Sequence, residues 1–139
     1  MILRRPLPIL ALLLAGLAAC DDSPRATDDS LVGTWTLVSV NGEPPPAVLF
    51  TFAGVTTEVL SASLEVRSGG TCTLRAELRT TDSTGTSTSN RADECTWSRN
   101  GSAAFFTFES GAAFELLAAT VVEDEMTVNQ SGVTLVLRR

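Results

Sequence analysis

The sequence predicts an all-β fold, an eight-stranded antiparallel up-and-down barrel. Three observations carry this. From Leu31 onward, short runs rich in Thr, Val, Leu and Phe recur at a spacing of about ten residues. Turn pairs punctuate them, notably Asn41-Gly42, Asn100-Gly101 and Ser131-Gly132. No window shows a helical period, whereas several show strict alternation. Sequential hairpins form a meander, and a meander of eight strands loses both open edges by closing on itself. Two stacked sheets would bury the same faces and are the alternative architecture.

The elements follow in order. A first strand runs from Leu31 to Val40 and stops at Asn41-Gly42. Pro44, Pro45 and Pro46 then impose an extended connection that cannot donate to a central ladder. A short apolar piece, Val48 to Phe52, ends near Gly54. The second long strand is Thr56 to Arg67. It turns at Ser68-Gly69-Gly70 into a third, Thr71 to Thr81. There Cys72, Leu74, Ala76 and Leu78 share one face, and Thr73, Arg75, Glu77 and Arg79 the other, which gives a dry side and a wet side. Residues 82–90 are almost entirely Ser, Thr and Gly and read as an exposed flexible loop. The remaining strands are Ala92 to Arg99, Ser102 to Glu109, Ala112 to Val122, Glu125 to Asn129 and Val133 to Arg139.

The start of the chain has a different character. Arg4 and Arg5 precede an apolar stretch, Leu7 to Leu17, interrupted only by Pro8 and Gly16. That stretch is too short to span a bilayer, which takes about 20 apolar residues, and it sits where a signal peptide's apolar region belongs. It ends in Leu17-Ala18-Ala19-Cys20, followed by Asp21 and Asp22. This resembles a bacterial lipoprotein signal peptide with its lipobox. The resemblance implies cleavage before Cys20, diacylglycerol on the Cys20 sulfur and an acyl chain, such as palmitate, on the new amino group. Two or more chains anchor a protein stably. An ordinary secretory signal, with Cys20 a bystander, is the alternative. The expected organisation is a signal peptide over 1–19, a lipidated Cys20 with a flexible acidic tether over 20–30, and a barrel domain over 31–139. The expected location is the periplasmic face of a bacterial cell envelope. Asp21 resembles the inner-membrane retention signal of enteric bacteria, a rule that varies between groups, so inner and outer membrane both stay open.

Composition narrows the function. All ten basic residues are Arg, and two of them lie ahead of Cys20, leaving eight against 16 acidic side chains. An acidic chain without a basic stripe is a poor partner for nucleic acid or for anionic lipid surfaces. The sequence has no His and no Tyr. Ser–His–Asp and Cys–His catalysis are therefore excluded within this chain, as is a His-ligated zinc site. No catalytic residue, cofactor or metal site is expected, and the chain is not read as an enzyme. Glu123-Asp124-Glu125 offers oxygens for a hard cation, but three adjacent acids in a turn more often face water.

With Cys20 assigned to lipid, Cys72 and Cys95 remain. In an exported protein a disulfide is their default, and they fall on hairpin partners with both side chains inward. No CxxC spacing points to a redox pair.

The segment LVGTWTLVSVNG, with Gly33-Thr34-Trp35, resembles the GxW motif of lipocalin-like proteins, and the closing GVTLVLRR resembles the last strand of small bacterial lipocalin-like lipoproteins. The resemblance implies a guanidinium from the last strand packed over the first-strand tryptophan. Carried over, these are Trp35 and Arg138, with Arg139 second choice. The chain departs from the family in being shorter and in lacking the helix usual before the last strand.

An eight-stranded barrel is filled by its own side chains or holds one small ligand. Composition does not decide between them: the shorter chain suits a barrel filled by its own side chains, and the resemblance suits a small apolar ligand in the barrel, with Trp97, Phe106 and Phe108 as candidate contacts. Core filling is the plainer role for these aromatics, and a barrel plug the plainer role for Trp35. The competing reading is a protein-interaction module without a cavity. Small periplasmic barrels with one disulfide resemble bacterial metalloprotease inhibitors, whose N-terminal segment enters the protease cleft. A tether starting at a lipidated Cys20 would block that use.

Overall fold

Alternating burial along each strand is what bends this chain into a ring. The computed structural model describes residues 29–109, 111–112 and 114–139. The signal peptide, Cys20 and all of the tether before Asp29 lie outside the described residues. A 3₁₀ turn, Asp29–Leu31, leads into nine strands: β1 Gly33–Val40, β2 Ala47–Phe52, β3 Val55–Val66, β4 Thr71–Asp82, β5 Gly85–Asn100, β6 Ala103–Phe108, β7 Leu116–Val122, β8 Glu125–Gln130 and β9 Val133–Arg138.

Every pairing is antiparallel, and β3 to β9 pair in sequence order. β1 closes the ring. Its first half, Gly33 to Thr36, pairs with Val66 to Ser63 of β3, and its second half continues along β9 from Arg138 to Leu135. The result is a closed eight-stranded antiparallel barrel. β2 is not a ninth stave. It occupies the upper edge of β3, opposite Val55 to Val59, where β1 has already left for β9. Pro44 to Pro46 lie in the connection from β1 to β2, and the Pro45-Pro46 bond is cis. Register shifts in β1 (Leu37/Ser39), β2 (Val48/Phe50) and β3 (Val59/Ser61) are bulges. Bulges raise local twist and bend a strand, and here they fall on the three strands, β1, β2 and β3, that meet at the closure.

The inward residues follow period two. β6 buries Ala104, Phe106 and Phe108, β7 buries Leu117, Ala119 and Val121, and β8 buries Met126 and Val128. Leu31, Trp35, Val40 and Val66 complete a single core with them. Cys72 and Cys95 are register partners on β4 and β5 and form a buried disulfide, with Cα atoms 4.9 Å apart.

The segment 82–90 departs from expectation. It is exposed, yet it is not a loop. β4 continues to Asp82 and β5 begins at Gly85, so the long hairpin pairs Thr81 with Thr86 and Glu77 with Asn90. Only Ser83 and Thr84 lie between the strands. The Asp82 carboxylate accepts from the Thr84 N–H (2.7 Å), the Thr84 hydroxyl (2.6 Å) and the Gly85 N–H (3.2 Å), which fixes the turn. These bonds hold the Asp82 carboxyl below its ordinary pKa, the Thr84 hydroxyl contributing most. Polar composition suggested a loop, but threonine is a strong strand former. The strand expected from Ala112 starts only at Leu116.

Candidate functional site

At one end the barrel is sealed. Trp35 is fully buried, and its indole N–H donates to the Leu31 carbonyl at 2.9 Å. The 3₁₀ turn thus folds beneath β1 as a floor. The guanidinium over the indole belongs to Arg139, 4.7 Å from the ring centroid. The first choice from sequence, Arg138, points outward instead and pairs with Glu125 at 3.0 Å. Strand alternation gives the reason. Leu137 of β9 faces the core, so Arg138 must face water, and Arg139 lies just past the strand end, free to curl under the barrel. Arg139 also donates to the carbonyls of Ser30 and Val32 and pairs with Asp124 at 3.0 Å. Asp124 and Glu125, two acids of the turn cluster, are therefore each engaged by an arginine.

Beside this floor stand the disulfide and Trp97. The Trp97 indole N–H donates to the Arg67 carbonyl at 2.8 Å, and its backbone N–H donates to Gly70. Trp97 thereby joins the β3–β4 turn to β5 at the sealed end.

Above the floor the core is hollow. A cavity of about 430 Å³ occupies the barrel interior. Leu37, Leu64, Leu74, Leu117, Leu135 and Leu137 form much of its wall, with Phe106 and Met126. Small side chains, Ala62 and Ala76, leave the space. Of the three aromatics expected at a ligand, Phe106 lines this cavity, whereas Trp97 and Phe108 do not. The cavity reaches the surface at the end opposite Trp35, past Leu49 and Phe50 of β2 and past Phe114 in the β6–β7 connection. Phe50 and Phe52 are exposed at this rim, Phe52 to 78 %.

Among the described residues, four polar side chains interrupt the apolar wall: Thr57, Thr80, Arg91 and Asp93. Thr57 and Thr80 are cross-strand neighbours toward the mouth. Arg91 and Asp93 lie two residues apart on β5, and Arg91 Nε meets Asp93 Oδ2 at 2.8 Å. The Asp93 side chain is only 14 % exposed. Arg91 Nη2 reaches across to the Gly111 carbonyl at 3.0 Å. That reach bridges a gap in the wall. β6 covers β5 only from Cys95 to Asn100, so the stretch from Gly85 to Glu94 has no described strand on its outer edge.

The sequence held a signal for this couple. Counting back by two from Cys95 places Asp93 and Arg91 on the inner face. A strand expected to start at Ala92 hid Arg91, and charged residues in mid-strand look like a wet face.

No family model matches this chain, and no curated protein matches it. Among solved structures, it is similar to the crystal structure of a lipocalin-like protein from Bacteroides uniformis ATCC 8492. The TM-score is 0.48 at 12 % identity, over 79 % of this chain and 98 % of that one.

Proposed function

We propose that this chain is a binding protein that holds one small apolar molecule inside its barrel. The observation that carries the reading is the interior cavity of about 430 Å³, within the size range of small-molecule sites. A barrel of eight strands can be filled by side chains. This one instead places Ala62 and Ala76 where larger residues would close the space. Binding is favoured over catalysis because, among the described residues, the wall carries a single carboxylate, Asp93, already paired with Arg91. Acid–base work by carboxylates alone needs two with separated roles.

The test is a titration of the purified chain with N-phenyl-1-naphthylamine, a neutral dye that brightens in apolar surroundings. Saturable brightening at one dye per chain is expected, lost in Ala76→Phe, which fills the cavity, and kept in Phe105→Ser on the outer face. No brightening, or brightening indifferent to Ala76→Phe, would refute the reading.

The same proposal places the protein at a bacterial membrane, held by lipid on Cys20. Its support is the lipobox-like Leu17-Ala18-Ala19-Cys20. Labelled palmitate should be incorporated in a bacterial host and lost in Cys20→Ser. An unlabelled wild-type chain would refute the anchor.

A further inference from the structure

We infer that the cavity selects an apolar molecule ending in a neutral group that both donates and accepts hydrogen bonds, a hydroxyl or a primary amide, over the carboxylate of the same chain length. This rests on the binding reading above and names the ligand class of that same site.

The argument starts from charge. Among the described residues the wall carries one cation and one anion, Arg91 and Asp93, in contact at 2.8 Å. The other polar lining groups, Thr57 and Thr80, are neutral. A ligand carboxylate close enough to gain from Arg91 also stands within a few ångströms of Asp93. Attraction and repulsion then largely cancel. The cost of taking a carboxylate out of water into an apolar wall remains unopposed. A neutral head loses far less hydration on entering.

Hydrogen-bonding capacity points the same way. Arg91 uses Nε on Asp93 and Nη2 on Gly111, and Asp93 receives Arg91 through Oδ2. Among the described residues, Nη1 of Arg91 and Oδ1 of Asp93 have no partner. The pair therefore leaves one donor and one acceptor open for a ligand. A hydroxyl or amide satisfies both, a carboxylate only the donor, and a plain hydrocarbon neither. The position also suits a head group. The couple sits where the wall is open between β5 and the β6–β7 connection, and the apolar wall supplies room for the chain.

The test displaces N-phenyl-1-naphthylamine from the purified chain with decan-1-ol, decanamide and decanoate at neutral pH. The alcohol and amide should compete at least about tenfold more strongly than decanoate. Asp93→Asn leaves Arg91 unopposed and should reverse the ranking in favour of decanoate. Should that variant fail to fold, the wild-type ranking decides alone. Bound dye displaced within about twofold by all three heads, or best by decanoate, overturns this inference and leaves the binding reading standing. Dye that never binds the wild-type chain removes both.

Discussion

Arg139 occupies the space into which a side chain on Gly33 would grow. A Cβ built on Gly33 would lie 2.8 Å from Cδ of Arg139, and Gly33 has φ +142°. Glycine is thus required twice, for its backbone and for the arginine that crosses it. The glycine of Gly33-Thr34-Trp35 is the gap through which Arg139 passes to reach Trp35. Gly33→Ala should cost about 2 kcal/mol or more, from the strained backbone and the displaced arginine together. Urea unfolding followed by tryptophan fluorescence measures it.

The two terminal arginines should separate cleanly. Arg139→Ala removes the contact with Trp35, the bonds under the 3₁₀ turn and the pair with Asp124. Its expected cost is about 1–3 kcal/mol. Arg138→Ala removes one exposed pair with Glu125, for which less than about 1 kcal/mol is expected. Equal midpoint shifts for the two variants would contradict the closed-end geometry.

Reduction of Cys72–Cys95 should destabilise the barrel by about 3 kcal/mol on a chain-entropy estimate, given a sequence separation of 23. The double variant Cys72→Ala/Cys95→Ala should unfold at lower urea than the oxidised wild type. Adding reductant should move the wild type and leave the double variant unchanged.

Acid should weaken the outer wall. The Glu58 carboxyl is held below its ordinary pKa by its hydrogen bond to Arg79, and that of Glu65 chiefly by its bond to Arg75. A group whose folded pKa is depressed contributes stability that is fully present above its unfolded pKa. That contribution is lost as pH falls through the folded value. The urea midpoint should therefore drop as pH is lowered below the usual carboxylate range. The slope should be shallower in Glu58→Gln/Glu65→Gln. A variant with the wild-type slope would count against these pairs as the source.

Much of the fold was legible because barrels advertise themselves locally. Alternation in 71–81 and the turn at Asn100-Gly101 each report on a neighbour one hairpin away, and both strand pairs form there. The extension of the β4–β5 hairpin was hidden because Ser and Thr serve loops and strands alike, and pairing decides between them. The choice between Arg138 and Arg139 was illegible for another reason. It depends on where β9 ends, and strand ends are set by tertiary contacts such as Asp124. The cavity depends on what small residues fail to fill, which no linear pattern announces.

The turn at Asp29–Leu31 and the side chain of Arg139 meet beneath the sealed pole, through the Ser30 and Val32 carbonyls. Any molecule entering the cavity therefore passes the rim of Phe50 and Phe52, on the side away from the first and last described residues.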